Sequence, residues 1–224
     1  MNLLDERVRD CKLISIDPGT TNLGLSIFTI NPYTYEIIDI EPYSLVLAKL
    51  DSKNPEMSNV HEDRYVRLNN LRSFFKDLLE EINPAYVCCE AAFFSIRTVT
   101  AYGPLIETIQ TLRMVLMEYD VGLPLVTFSP TEAKAAVGVK RDKVKKAAKL
   151  KGVNKMAQKD AVLLAVKTIP EITKHLSRDR LDGLTDHAVD SIAIGFTGIL
   201  KLRSNLEWKS SLRLPHYPLL SKEP

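Results

Sequence analysis

The sequence predicts an α/β fold in which a mixed five-stranded sheet is flanked by helices. The chain opens with three strand-like runs in succession, two further apolar runs follow, and segments with helical periodicity separate or follow those two. With 224 residues, 45% of them hydrophobic, the chain can bury the core of one good-sized domain. We therefore expect a single domain over residues 1–200. Residues 201–224, which contain Trp208 and three prolines, are expected to form an arm or tail.

The first strands predict an antiparallel meander. Apolar runs at residues 13–16 and 23–30 are joined by the turn DPGTTN, which begins at Asp17 and contains the turn-forming residue types Pro, Gly and Asn. A third run, residues 36–50, alternates well enough to continue the meander.

A long helix is predicted over residues 60–82, after a polar loop over residues 51–59. Apolar residues recur at helical spacing through this helix, and Asn59 with Glu62 has the residue types of a capping pair. Pro84 follows directly after the predicted end, as expected for a helix stop.

The second half of the chain predicts two more strands and several helices. A short, fully apolar strand over residues 85–89 ends in Glu90, and a further strand covers residues 123–128. The helical segments are residues 100–119, 130–137, 155–169 and 185–200.

Charge, cysteine content and the length of apolar runs restrict the classes of protein to which the chain can belong. Thirty Lys and Arg nearly balance 28 Asp and Glu, so nucleic-acid binding would have to come from local clustering of charge. The three cysteines lie in apolar, strand-like sequence and predict neither a disulfide framework nor a zinc site. No run approaches the roughly 18 apolar residues of a membrane span. We expect no membrane partner and an unsecreted protein.

Acidic residues stand at the predicted ends of two strands and at the start of the last helix. Asp17 closes the first strand and Glu90 closes a later one, while Asp186, His187 and Asp190 open the last helix. Residues three or four apart share one face of a helix, so either Asp186 or His187 can lie beside Asp190. Carboxylates close together repel one another unless a cation lies among them, and Mg²⁺ and Mn²⁺ prefer oxygen ligands. The pattern favours a divalent-metal site.

Each acidic residue also has a purely structural interpretation. Asp17 alone is typical of a turn, and Asp186 could simply cap the last helix. Glu90 is harder to explain that way, because a charge between two apolar flanks is costly without a partner or an ion. Asp190 lies inside an apolar helical stretch and raises the same difficulty.

These elements together resemble the RuvC family of Holliday junction resolvases, within the RNase H-like nuclease superfamily. The resemblance spans about residues 12–200 and keeps the family order. Its motifs are IDPGTTNLG at 16–24, CCEAAFF at 88–94, LPLVTFSPTEAKAAVG at 123–138, MAQKDAV at 156–162 and DHAVDSIAIG at 186–195.

The resemblance implies an RNase H-like fold and a crossover junction endodeoxyribonuclease that acts as a homodimer. Such enzymes resolve four-way junctions by paired symmetric nicks and hold two Mg²⁺ or Mn²⁺ ions per active site. By position in the motifs, Asp17, Glu90 and Asp190 match metal-binding catalytic acids of the family. The fourth ligand lies three residues before Asp190, at His187, and the adjacent Asp186 remains the alternative.

The resemblance also implies DNA contacts. Phe93 matches an aromatic residue that contacts bases at the opened junction, and we expect that of Phe93 and Phe94 one packs in the core and one contacts DNA. Lys134 and Lys159 match lysines near the scissile phosphate, so Lys159 is also a candidate catalytic residue.

A lysine-rich stretch predicts further contacts with the DNA backbone. One acid, Asp142, stands among ten basic residues, and such clusters bind phosphates without reading sequence. Residues 139–152 are longer than the corresponding loop of typical bacterial members, which predicts a basic insertion and favours a phage or viral source. With the resemblance, we expect a cytoplasmic or nucleoid-associated protein, inside the host cell if viral. The basic residues are Lys134, Lys140, Arg141, Lys143, Lys145, Lys146, Lys149, Lys151, Lys155 and Lys159.

Three different functions also fit parts of the sequence. The first is ATP binding, because the turn after Asp17 also resembles the first phosphate loop of actin-like ATPases and sugar kinases. Those folds need a second Gly-rich loop, and with 9 Gly in the chain nothing after residue 150 provides one. The second is DNA binding without catalysis by a protein of the same fold. The third is a broader branched-DNA or flap endonuclease activity.

Overall fold

The computed structural model describes residues 10–47, 55–94, 99–139 and 156–204. The predicted basic insertion lies almost entirely outside these residues, as do Lys140, Arg141, Lys143, Lys145, Lys146 and Lys155. The strands are β1 (Cys11–Asp17), β2 (Asn22–Ile30), β3 (Ile37–Val46), β4 (Tyr86–Glu90) and β5 (Leu125–Phe128). The helices are α1 (Pro55–Ile82), α2 (Val99–Tyr119), α3 (Pro130–Ala136), α4 (Met156–Val166), α5 (Pro170–Thr173), α6 (Arg178–Asp182) and α7 (Asp186–Ser204).

The strands form one mixed sheet in the order β3-β2-β1-β4-β5. β1, β2 and β3 pair antiparallel, as the predicted meander requires. β4 and β5 pair parallel, and β4 also lies parallel to β1. The prediction of a mixed five-stranded α/β sheet is confirmed, and β1 lies at its centre.

Alternating residues of the central strands bury two separate cores, one on each face of the sheet. Ile14 and Val87 pack on one face with Phe75 of α1 and Leu112 of α2. The other face carries its own cluster, in which Leu13, Phe28 and Tyr86 pack with Ile192 and Ile199 of α7. Because α7 lies directly over β1 and β2, its first residues come close to the end of β1.

Among the described residues, three helix boundaries differ by more than one residue from the sequence prediction. α1 begins at Pro55, inside the predicted loop, and its backbone is non-helical at Glu62 (φ 63°, ψ 144°). A residue with that backbone cannot be the third residue of a helix, so the predicted capping pair is wrong. The predicted helix 155–169 is shorter, because a separate short helix starts at Pro170 and proline cannot continue a helical hydrogen-bond ladder. α7 continues to Ser204, four residues beyond the predicted end at 200.

All three cysteines are buried and free. Burial raises the pKa of the Cys11 thiol to about 11, which keeps it protonated and unreactive at neutral pH. Within the parts of the chain that the structure describes, none of the helices is long and apolar enough to cross a membrane.

Candidate active site

Two acidic residues end neighbouring parallel strands at the centre of the sheet. Ile16 of β1 is in register with Cys89 of β4, and the next residues, Asp17 and Glu90, are the last of their strands. Side chains alternate between faces along a strand, so Asp17 lies on the same face as Leu13, the face covered by α7. Glu90 shares that face, because it is two residues from Cys88 in the same core. The register therefore places the two strand-end acids side by side on one face of the sheet.

The start of α7 lies against the sheet at Ser44 of β3 and Gly24 of β2. The backbone N–H of Ala188 donates to Thr185 Oγ1 (3.3 Å), and Thr185 Oγ1 is in turn hydrogen bonded to Ser44 Oγ of β3. Thr185 therefore caps the helix, and the interpretation of Asp186 as the cap is wrong, since Asp186 is the first helical residue and is exposed. The carbonyl of His187 lies so close to Gly24 that a Cβ there would be 1.9 Å from the carbonyl oxygen.

His187 and Asp17 are in direct contact. Nδ1 of the His187 imidazole lies 2.6 Å from Oδ2 of Asp17, a carboxylate whose side chain is only 10% exposed. The contact ties the end of β1 to the first turn of α7. Of the two candidates, His187 contacts the strand-end acid Asp17 directly, while Asp186 is exposed and lies near enough to Asp190 to help raise its pKa.

Two carboxyl groups of the site resist ionisation. Burial, together with the negative charges of Asp17 and Asp190, raises the pKa of Glu90 to about 8, and Lys134 and His187 oppose this increase. Burial also raises the pKa of Asp190 to about 6, with Asp17 adding to the increase and Lys134 and His187 opposing it. Asp17, Glu90 and Asp190 are therefore close enough to interact, and their combined charge is not fully balanced by neighbouring side chains.

The donor chemistry of this cluster suits an oxygen-preferring divalent cation, which would relieve the repulsion among the three carboxylates. The side chains are not arranged as a ready-made ligand set: among the described residues no three Asp, Glu, His or Cys side chains converge on one point that could hold a metal ion. Asp17 Oδ2 instead faces His187 Nδ1. Charge and residue types therefore fit a metal, and binding one would require the Asp17 and His187 side chains to reorient.

Lys134 is the predicted basic residue that the structure brings to the acids. It lies in the last turn of α3, which follows β5 and starts with a capping box between Ser129 and Glu132. Its charge lowers the pKa of both Glu90 and Asp190, and its side chain is exposed to solvent. Lys159 belongs to α4, but its side chain lies outside what the structure describes.

Phe93 and Phe94 are both exposed, at 60% and 56%. The chain leaves the sheet after Glu90, so both rings lie beyond the strand end; Phe94 contacts the ring of Tyr102 edge-on, with centroids 5.4 Å apart. The prediction that one of the two packs in the core is wrong. Two exposed aromatic rings three and four residues after a strand-end acid form a surface that could stack on bases.

Sequence reasoning missed Ser44, Thr185 and Gly24. Thr185 could have been predicted as the N-cap, because a threonine directly before an apolar helix is a preferred N-cap residue. The contacts of Ser44 and Gly24 could not be predicted from local sequence, since both are made with a helix more than 100 residues away along the chain.

By sequence, the chain matches no family model and no curated protein. By structure, it is similar to Thermus thermophilus RuvC in complex with Holliday junction substrate, with 17% identity, 86% of this chain and 95% of that chain covered, and a TM-score of 0.54. A second Thermus thermophilus RuvC structure matches at 18% identity with the same coverage and a TM-score of 0.52. The yeast mitochondrial Holliday junction resolvase Ydc2 matches at 14% identity, 90% and 80% coverage, and a TM-score of 0.52.

The chain therefore has an RNase H-like α/β fold. Within that class its architecture is RuvC-like, with the mixed five-stranded sheet and flanking helices that the sequence predicted. At such low identity the similarity establishes the fold.

Proposed function

We propose that this protein is a metal-dependent endonuclease that resolves four-way DNA junctions by paired symmetric nicks. The observation that carries the proposal is the position of Asp17 and Glu90 at adjacent strand ends, opposite His187 and Asp190 on α7. Two structurally similar proteins support the proposal. Thermus thermophilus RuvC was solved in complex with Holliday junction substrate, and yeast Ydc2 is named a Holliday junction resolvase.

The acidic residues would hold Mg²⁺ or Mn²⁺, two ions per active site. Asp17, Glu90 and Asp190 supply the carboxylates, and His187 supplies a fourth group in preference to the exposed Asp186. Bound divalent ions of this kind activate a water molecule and stabilise the leaving oxygen of a phosphodiester. The protein's own contribution is to fix the acids on the rigid sheet centre and on a capped helix.

Other residues would bind the DNA. Lys134 and Lys159 would bind phosphates near the cut, and the lysine-rich stretch from Lys140 to Lys155 would add affinity that depends on salt but not on base sequence. Phe93 and Phe94 would stack on bases at the open centre of the junction, since both rings are solvent-exposed next to Glu90.

The substrate's two-fold symmetry calls for two active sites, so we propose a homodimer. α2 is the candidate contact. Its buried face, with Ile109 and Leu112, packs in the protein's own core, while Met114 and Met117 on the outer face are 58% and 67% exposed. Sedimentation of the purified chain measures its oligomeric state directly.

The experiment that tests the function is incubation of the purified chain with Mg²⁺ or Mn²⁺ and a synthetic four-way junction. Production of nicked duplexes supports the proposal. Binding without cleavage would favour a non-catalytic DNA-binding protein, and equal cleavage of flaps would favour a broader branched-DNA nuclease. ATP turnover that survives Asp190→Ala would favour an actin-like or sugar-kinase type of ATP-binding protein. We propose that the protein acts inside the cell, where its DNA substrate is found.

A further inference from the structure

Three serine hydroxyls lie buried between α7 and the two central strands, directly beneath the candidate active site. Ser15 of β1, Ser26 of β2 and Ser191 of α7 have no solvent-exposed surface. Ser15 and Ser26 are directly opposite each other in the β1–β2 pair. Ser15 is two residues before Asp17, and Ser191 directly follows Asp190.

The three hydroxyls form one connected hydrogen-bond network. Ser15 Oγ donates to the backbone carbonyl of Ser191 at 2.8 Å. Ser191 Oγ donates to the carbonyl of Ala188 at 2.8 Å, so its contact of 2.6 Å with Ser26 Oγ must be a bond that Ser26 donates. Each hydroxyl proton therefore has an acceptor, which makes the network tolerable in an otherwise apolar layer.

The network coincides with a match in spacing between α7 and the strands. Four helical residues rise about 6 Å and two strand residues span about 6.6 Å. Residues four apart in α7 therefore lie over residues two apart in β1 and β2. His187 lies at the level of Asp17 and Gly24, and Ser191 lies at the level of Ser15 and Ser26.

The next turn of α7, at Gly195, also lies in close contact with the sheet. A Cβ on Gly195 would lie 2.1 Å from Phe28 Cε2 and 2.7 Å from Ser15 Oγ, so the helix backbone itself touches the sheet there. Apolar contacts alone permit a helix to slide or rotate, whereas hydrogen bonds have direction. A slip of one residue would turn α7 by about 100° and move Asp190 away from Asp17.

We propose that Ser15, Ser26 and Ser191 are positioning residues that set the height and rotation of α7, so that Asp190 and His187 face Asp17 and Glu90. The inference rests on the proposed metal-dependent function, since its measurable consequence is the affinity of the acids for a divalent cation. It predicts that metal affinity depends on hydroxyls that touch no metal ligand's side chain.

The test separates positioning from stability by comparing a single with a double variant. Ser191→Ala leaves the Ser26 hydroxyl buried without its acceptor, so both the melting temperature in EDTA and the affinity for Mn²⁺ should fall. The double variant Ser26→Ala with Ser191→Ala removes both partners of that bond, and its melting temperature should return towards the wild-type value. Its dissociation constant for Mn²⁺, measured by calorimetry without DNA, should remain about tenfold higher than wild type.

Thr197→Val is the matched control. Thr197 is also buried in α7, but its hydroxyl donates to Ala193 of the same helix at 2.7 Å and so joins no second element. Its Mn²⁺ affinity should equal that of the wild type. Wild-type affinity in the double variant, or an equal loss in Thr197→Val, would overturn the proposal.

The outcome is distinguishable from a failure of the proposed function. If the wild type binds Mn²⁺ but cuts no DNA, the nuclease proposal fails and the calorimetric comparison still decides the role of the serines. If the wild type binds no Mn²⁺, hydrogen exchange of the backbone amides from Asp190 to Gly195 tests whether the serines position α7. Faster exchange in the double variant at unchanged melting temperature supports positioning, and unchanged exchange overturns it.

Discussion

Nδ1 of His187 lies 2.6 Å from Oδ2 of Asp17, although the two residues are 170 positions apart in the sequence. The contact joins the end of the central strand to the first turn of the last helix. It also gives a nearly buried carboxylate its hydrogen-bond partner in the metal-free protein.

Replacing His187 should therefore destabilise the metal-free protein more than the metal-loaded one. His187→Ala leaves Asp17 without that partner, at a cost of about 1–3 kcal/mol in EDTA, and excess Mg²⁺ should offset part of the loss by neutralising Asp17. Thermal unfolding with and without Mg²⁺ measures both effects. His61→Ala, an exposed histidine of α1, is the control and should change neither. Equal melting temperatures for wild type and His187→Ala in EDTA would contradict the prediction.

The raised pKa of Glu90 predicts a pH dependence of stability in the absence of metal. Between its ordinary value of 4.5 and its folded value of about 8, the folded chain holds a proton that the unfolded chain releases. The free energy of unfolding in EDTA should therefore fall as the pH rises from about 5 to 8.

Glu90→Gln removes this ionisation and should flatten the fall. At pH 8 in EDTA the variant should be more stable by at least about 1 kcal/mol, or about 2–4 °C in melting temperature. Glu80→Gln, at an exposed position of α1, serves as the matched control. Identical pH profiles for wild type and Glu90→Gln would show that Glu90 is not held protonated.

Gly24 should tolerate no side chain, because a Cβ would overlap the His187 carbonyl oxygen at 1.9 Å. Gly24→Ala must push α7 away from β2, which we expect to cost about 1–3 kcal/mol and to reduce cleavage. Gly103→Ala in α2 is the control: nothing lies within 4 Å of its Cβ, and alanine favours the helix. Urea unfolding compares the two, and equal stabilities would contradict the close contact between α7 and β2.

Phe93 and Phe94 should contribute to junction binding and little to folding. Their rings are more than half exposed, so Phe93→Ala and Phe94→Ala should keep the wild-type melting temperature. If each ring stacks on a base, each variant should lose about 1–3 kcal/mol of junction affinity, measured by electrophoretic mobility shift. Tyr33→Ala, an exposed aromatic in the hairpin at the opposite end of β2, should bind normally. A loss as large in Tyr33→Ala would indicate a non-specific effect.

Much of the fold was predictable because it depends on local pattern. Apolar or alternating runs predicted all five strands, and Asp17 and Glu90 stand at the predicted ends of two of them. The start of α1 was not predictable in this way. Residues 55–59 are mostly polar and show no helical periodicity, and the backbone break at Glu62 has no sequence signal.

The site was predictable in residue type but not in arrangement. Glu90 and Asp190 stood out because charge next to apolar sequence needs an explanation, whereas Asp17 and His187 were recognised by their positions relative to these acids and in the family motifs. The direct contact of His187 with Asp17, and the serines beneath it, depend on how α7 packs on the sheet. A serine within an apolar strand gives no periodic signal, so Ser15 and Ser26 could only be recognised once the helix was in place.

The central claim is that the acids at the strand ends and on α7 cut branched DNA with a divalent metal. The most direct measurement is cleavage of a mobile four-way junction, set against linear duplex of the same sequence, by wild type and Asp190→Asn with Mg²⁺ or Mn²⁺. We predict paired nicks in the junction and none in the duplex, with cleavage abolished and junction binding retained in Asp190→Asn. Junction cleavage that survives Asp190→Asn, or a wild type that binds the junction with metal present and leaves it intact, would contradict the account.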